Sequence, residues 1–220
     1  MKIAILGATG TTGGLVLDEA LAAGHNVIAF VRNPAAVAPR AGLTVVTGSV
    51  EDEVAMRAAF KEADAVVSCL GARMTIGGMF SGTNFQRLVL PKIIAAINEA
   101  GVKRFVLMSS FGVGETATKA SLIPRILFYT VIAKKLFDDK AIAEQALSRC
   151  TANWTTIYPV GLKKGPVDPS WDLVSLDKVR NVPGIPTLSF ASVAKVLVSL
   201  APDQTQSGQK LLLTTSGGWR

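Results

Sequence analysis

The sequence predicts a single α/β domain built on a doubly wound parallel sheet. Three observations lead there. Short apolar runs alternate with stretches of helical period along all 220 residues. The first run, Ile3-Ala4-Ile5-Leu6, opens directly into Gly7-Ala8-Thr9-Gly10-Thr11-Thr12-Gly13. No linker, repeat or low-complexity tract divides the chain. Short apolar strands separated by helices imply a parallel sheet covered on both faces. Right-handed crossovers then make it doubly wound.

The elements follow in order. Residues 2–6 form the first strand. A helix over about 12–23 carries Leu15, Leu17, Ala20 and Leu21 as its apolar stripe and stops at Gly24. Strands are expected at 27–31 and 43–47, then a helix over about 51–62 with Val54, Met56, Ala59 and Phe60. A strand at 65–70 and a long helix over about 84–100 come next, then strands at 105–108 and 155–158. A helix over about 192–200 and a last strand at 210–213 close the domain. The proline-bearing stretch 163–187, with Trp171, reads as an irregular loop.

Composition narrows the class. The apolar content is 49%, yet no run approaches the ~20 residues that span a bilayer. Met1-Lys2 leads straight into a strand, so no signal peptide and a cytoplasmic protein are expected. Cys69 and Cys150 are far apart and read as reduced thiols. With one histidine and no Cys/His cluster, no metal site is expected. The net charge of +7 is scattered, and no aromatic platform accompanies it. That favours attraction of anionic small molecules over nucleic acid, part of the excess being solvated surface.

The glycine turn carries the chemistry. A strand feeding a G-x-x-G-x-x-G turn into a helix is the layout of a dinucleotide-phosphate site. Gly7 turns the chain off the strand, Gly10 lets backbone approach a pyrophosphate, and Gly13 lets the helix pack close. The helix N-terminus, through Thr9, Thr11 and Thr12, offers free N–H groups and a positive dipole end. The second strand ends Val31-Arg32-Asn33-Pro34, with no acid to bond a ribose 2′-hydroxyl. Arg32 is a charged fork suited to a 2′-phosphate, so NADP(H) is the expected cofactor. Gly71, after the fourth strand, fits either backbone approach to the second ribose or a plain turn. Ser109 and Ser110 end the fifth strand at the same edge. They fit either contact with nicotinamide and substrate or satisfaction of local backbone.

These residues resemble the atypical short-chain dehydrogenase/reductases, the NAD(P)-binding group that includes NmrA-like proteins. The resemblance rests on the glycine turn, Val31-Arg32, Asp64-Ala65-Val66-Val67, Gly101-Val102-Lys103-Arg104-Phe105-Val106 and Ser109-Ser110. Within the group the chain is most similar to NADPH-dependent flavin reductases of the biliverdin reductase B kind. That likeness includes Asp138-Asp139 at the start of the helix leading to the sixth strand, and Pro159 after that strand. It implies a Rossmann-like fold, Ser110 as the active-site serine and Pro159 among the cofactor contacts. The group's pocket histidine is here Gly161, and an acid near the adenine is here Ser49.

The Tyr-x-x-x-Lys pair of typical short-chain dehydrogenases is not readable. Tyr129 is followed by Lys134 and Lys135, and offsets of five and six rotate by about 500–600° on a helix. A pocket poor in titratable groups suits hydride transfer to an electron-poor ring. The expectation is an NADPH-dependent reductase acting on a planar, anionic acceptor such as a flavin or biliverdin. The alternative is a non-catalytic NADP-binding sensor or regulator of the NmrA-like kind. Residues 111–137 form the expected pocket wall, with Phe111, and with Arg125 or Lys119 meeting a phosphate or propionate. That apolar stretch also fits a membrane-surface or subunit contact, or a core helix. Residues 163–187 would complete the pocket mouth, and the protein is expected to be a monomer or weak homo-oligomer.

Overall fold

The first apolar run forms β1 (Lys2–Leu6) near the middle of the main sheet, where both of its faces are covered. The computed structural model describes residues 1–71, 84–122 and 134–220. Strand alternation sends Ile3 and Ile5 to one face and Ala4 and Leu6 to the other, and all four are fully buried. Helix α1 (Thr11–Ala22) follows, then β2 (Asn26–Val31), β3 (Leu43–Thr47), α2 (Glu53–Phe60) and β4 (Ala65–Ser68). Then come α3 (Phe85–Ala100), β5 (Arg104–Met108), α4 (Lys134–Glu144) and β6 (Asn153–Pro159). The chain finishes with β7 (Gly161–Lys163), β8 (Trp171–Ser175), β9 (Thr187–Ser189), α5 (Phe190–Leu200) and β10 (Gln209–Thr215).

The main sheet runs β3-β2-β1-β4-β5-β6-β10-β8, parallel except where β8 joins β10 antiparallel. One apolar core gathers Val16, Leu17 and Ala20 of α1 with Val193 and Leu197 of α5. The other gathers Met56 and Phe60 of α2, Ile93 and Ile97 of α3, and Ala143 of α4. Residues 72–83 and 123–133 lie outside the description, and with them the expectations for Arg125 and Tyr129.

Local signals set the ends of the helices. Gly24 (φ +77°) and Gly101 (φ +70°) end α1 and α3 in the left-handed conformation that only glycine adopts cheaply. The Asp52 carboxylate accepts the Ala55 N–H at 3.0 Å to start α2. At the opposite edge of the sheet from the glycine turn, the fully buried Arg104 guanidinium fills its donors from the chain itself. Nε reaches the Leu200 carbonyl at 3.1 Å, Nη1 the Asn153 carbonyl at 2.8 Å and Nη2 the Thr155 hydroxyl at 2.6 Å.

Two expectations are corrected. Residues 163–187 are not one irregular loop, because they contain β8, paired with β10 from Leu211↔Ser175 to Thr215↔Trp171. Asp138 and Asp139 do not start their helix: α4 already runs from Lys134, and Asp139 is fully buried within it. No helix among the described residues is long and apolar enough to cross a membrane.

Candidate functional site

The registers Leu6↔Phe30, Leu6↔Ser68, Ser68↔Leu107 and Met108↔Ile157 bring the ends of β1, β2, β4, β5 and β6 to one edge. Strand order reverses between β1 and β4, which opens a crevice at that edge. Gly7 lines it at φ +84°, and a Cβ there would stand 3.1 Å from the Cys69 carbonyl group. Gly13 is tighter still, because a Cβ would lie 2.0 Å from the Gly7 carbonyl oxygen. Gly10 precedes α1 in extended backbone and donates to the Gly7 carbonyl at 2.9 Å, with no side chain capping the helix. The N–H groups of Thr11, Thr12 and Gly13 have no partner among the described residues. Thr9, Gly10 and Thr11 are exposed, whereas Thr12 and Gly13 are buried.

Arg32 stands exposed at the end of β2, with no hydrogen bond or ion pair among the described residues. The next residue, Asn33, is occupied in turning the chain, its side-chain oxygen accepting the Ala35 N–H at 3.2 Å. Gly71 is exposed, a Cβ there would meet no described residue within 4 Å, and its φ is not positive, so the backbone itself does not demand glycine there.

The end of β5 carries the polar cluster. Lys140 Nζ on α4 donates to Ser110 Oγ at 2.7 Å. Burial pulls the Lys140 ammonium down to about 8, against the opposing charges of Glu144 and Asp139. One turn on, the Glu144 carboxylate accepts the Ser109 hydroxyl through one oxygen and the Tyr158 hydroxyl, at 2.6 Å, through the other. Burial raises Glu144, opposed by those two hydrogen bonds and by the charges of Lys140 and Lys210. Burial and the neighbouring carboxylate push the Tyr158 phenol well up. Asp139 faces α3, where it accepts the N–H groups of Gln86 (2.9 Å) and Arg87 (3.2 Å) and Arg87 Nε (3.1 Å). It thereby caps the first turn of α3 and ties α4 to it. A cavity of about 10 Å³, the size of one water, lies among Gln86, Ser109, Lys140 and Glu144. A second, of about 140 Å³, lies beyond Glu144 and Tyr158, beside Glu115 and Lys210.

The profile of the family described as NAD(P)H-binding matches residues 7–204, nearly the whole chain. The chain belongs to this NAD(P)H-binding family. Photosystem II assembly factor Ycf39 of Synechocystis is 26% identical over 75% of the chain and 46% of its own length. The chain spans about half the length of the curated relatives it matches. Among solved structures, a short-chain dehydrogenase/reductase from Veillonella parvula in complex with NADP superposes with a TM-score of 0.81. It is 16% identical and covers 100% of this chain and 96% of its own. ChuY, an anaerobillin reductase of Escherichia coli O157:H7, has a TM-score of 0.77 at 23% identity, covering 97% of both chains. These two show the shared fold.

Within this NAD(P)H-binding fold the glycine turn, Arg32, Gly71, Ser109, Ser110 and Pro159 fall on one strand edge, although three expectations change. Ser109 is buried and spends its hydroxyl proton on Glu144, so it does not offer that donor to a ligand. The Phe111 ring belongs to the core with Val113, Ala120 and Val182 and is only 7% exposed, so it is no open pocket wall. Lys119 donates to the Val179 carbonyl at 2.7 Å and is not a free anchor for an anion. The site is also rich in titratable groups, not poor. Sequence reasoning centred on Tyr129 and the lysines after it does not single out Lys140, Glu144 or Tyr158, and it gives Asp139 no side-chain role. The signal was the spacing Asp139, Lys140, Ala143, Glu144, which puts four residues on one helical face.

Proposed function

We propose that the protein is an NADPH-dependent reductase that passes hydride to a planar, anionic acceptor of the flavin or bilin class. The observation that carries this reading is the Lys140–Ser110 hydrogen bond at the strand edge that also holds the glycine turn. A family of NAD(P)H binders needs little more than a placed acid to become a reductase.

The residues fit the dinucleotide. The free N–H groups of Thr11, Thr12 and Gly13 suit a pyrophosphate, and Gly10 leaves the approach open. Thr9 and Gly7 shape that turn, Arg32 would neutralise the 2′-phosphate, and Gly71 would admit the second ribose. Pro159 and the backbone of Ser109 would border the nicotinamide end, between β5 and β6. Bound there, the reduced nicotinamide supplies the hydride. Ser110 then hands a proton to the acceptor, and Lys140 replaces it. A bilin suits this arrangement, since hydride arrives at a bridging carbon while a ring nitrogen takes the proton. Arg125 would meet an anionic substituent of the acceptor, with residues 163–187 bordering the mouth.

The deciding experiment mixes the pure protein with NADPH and either FMN or biliverdin and follows loss of nicotinamide absorbance. Tight NADPH binding with neither acceptor reduced would replace this reading by that of a non-catalytic NADP-binding regulator. Two variants probe the cofactor half. NADPH is expected to bind more tightly than NADH by about 10- to 100-fold, the worth of a charged contact to phosphate. Arg32→Ala should erase most of that difference, and equal affinities in the parent would defeat the assignment. Gly10→Val is expected to keep its circular dichroism, because among the described residues a new Cβ would meet just the Gly7 carbonyl oxygen, at 3.2 Å, a contact that a shift of a few tenths of an ångström relieves. Its NADPH affinity should fall by at least about 100-fold as the side chain fills the phosphate approach. Calorimetry showing parent-like binding would mean that the turn is not the site.

A further inference from the structure

Three residues of one helical face are committed in different directions. Asp139 is answered by α3, through two backbone N–H groups and the Arg87 guanidinium. Lys140 turns to β5 and Ser110. Glu144 takes one neutral hydroxyl from β5 and one from β6, and makes no ion pair among the described residues. The nearest cation on β10, Lys210, is already paired with Glu115 at 2.7 Å. Glu144 and Lys140 sit one turn apart and line the same 10 Å³ cavity with Gln86 and Ser109. A carboxylate whose hydrogen bonds come from neutral groups has no ion pair to cancel its charge toward whatever shares its cavity.

We propose that Glu144 is the positioning residue of the Ser110–Lys140 pair, fixing the turn of α4 that presents Lys140 and holding the ammonium form in place by its charge. The inference rests on the reading of Ser110 and Lys140 as the reacting pair. Two hydroxyls clamp the carboxylate at the ends of β5 and β6, so the helix cannot roll Lys140 away from Ser110 without breaking both bonds. Among the described residues, the groups facing Lys140 are Glu144 and Asp139 from α4, Gln86 from α3, and Ser109 and Ser110 just after β5, with Arg87 paired to Asp139 behind them. Tyr158, Lys210 and Glu115 face Glu144 from the outer side. With Asp139 paired to Arg87, Glu144 is the stronger of the two described carboxylates that support the lysine.

Trace acylation with acetic anhydride across pH, read at Lys140 by peptide mass spectrometry, tests this without any acceptor. The parent midpoint is expected near 8. Glu144→Gln should lower it by about one unit, since the isosteric amide removes charge and little else. Tyr158→Phe keeps the charge and should leave the midpoint in place. A midpoint unmoved in Glu144→Gln overturns the proposal. Equal shifts in both variants also overturn it, because they would reveal a packing effect. Should Glu144→Gln fail to fold, Glu144→Asp withdraws the charge by one methylene and should give a smaller fall, an unmoved midpoint again being fatal. If the parent reduces neither FMN nor biliverdin, the reductase reading fails while the Lys140 titration still answers this one.

Discussion

Gly13→Ala is expected to destroy dinucleotide binding and to lower the melting temperature sharply. The added methyl carbon would stand 2.0 Å from the Gly7 carbonyl oxygen, 2.6 Å from its carbon and 3.1 Å from the Ala8 nitrogen. All three are backbone atoms, so no rotamer change relieves the clash. Helix α1 must lift from β1, and Val16, Leu17 and Ala20 lift with it out of a closed core. Overpacking of this kind costs about 1–3 kcal/mol, and more where backbone has to move. In a chain this long each kcal/mol shifts the midpoint by about 2–4 °C. A fall of roughly 2–12 °C is therefore expected, with NADPH affinity reduced at least about 100-fold as the N–H groups of the turn lose their alignment. Gly14→Ala is the control. Its Cβ would rest 3.5 Å from the Ala8 carbonyl oxygen, an ordinary contact. Alanine inside a helix gains about 0.5–1 kcal/mol over glycine, so that variant should melt no lower than the parent. Thermal unfolding followed by calorimetric titration separates the two, and a Gly13→Ala protein that binds and melts like the parent would show that this close packing is not needed.

Lys140→Met is the second large effect. Methionine keeps most of the aliphatic stem and removes the ammonium that donates to Ser110 at 2.7 Å. Loss of a positioned acid lowers turnover by about 10²- to 10⁴-fold, whereas NADPH affinity should change only a few-fold because the phosphate turn is untouched. The pH dependence has a definite sign. Burial brings the lysine to about 8, so the proton-carrying form prevails below that pH and turnover in the parent should decline as pH rises through it. Stability moves the other way. Between about 8 and the ordinary lysine value of 10.5 the unfolded chain binds more protons than the folded one, so folding is favoured as pH rises across that window. Below it the buried ammonium opposes folding, and Lys140→Met should melt no earlier than the parent at pH 7. Stopped-flow and steady-state rates with biliverdin provide the measurement; unchanged turnover in the variant would remove Lys140 from the chemistry.

The parts of this molecule that were legible in its sequence are those whose cause is local. The strand-turn-helix unit at Gly7–Gly13 is written in consecutive residues, and the seven strands first expected all occur, with ends differing by one or two positions. The place of Arg32 was legible because a strand end points to one place in such a sheet. The polar cluster was not, because it depends on the rotational phase of α4. Only with that phase known do Asp139, Lys140 and Glu144 point respectively at α3, Ser110 and the pair Ser109 and Tyr158. The serine pair shows the same limit: adjacent residues at a strand end face opposite ways, and nothing in Ser109-Ser110 says which one turns inward. β8 was hidden for a related reason. Its partner β10 lies nearly forty residues further along, and short strands take their stability from the neighbour they meet.

Arg104 has a consequence for how the chain comes to be folded during synthesis. This residue opens β5, near the middle of the sequence, yet each of its three partners, Asn153, Thr155 and Leu200, is made later. A nascent chain that has emerged only through β5 holds a guanidinium whose acceptors do not yet exist. Enclosing it then would leave a bare cation in apolar surroundings, a state costly enough to keep the half-made sheet open. The arginine thus ties the order of assembly to the order of synthesis: its guanidinium is enclosed together with its acceptors only once β6 and α5 have joined β5.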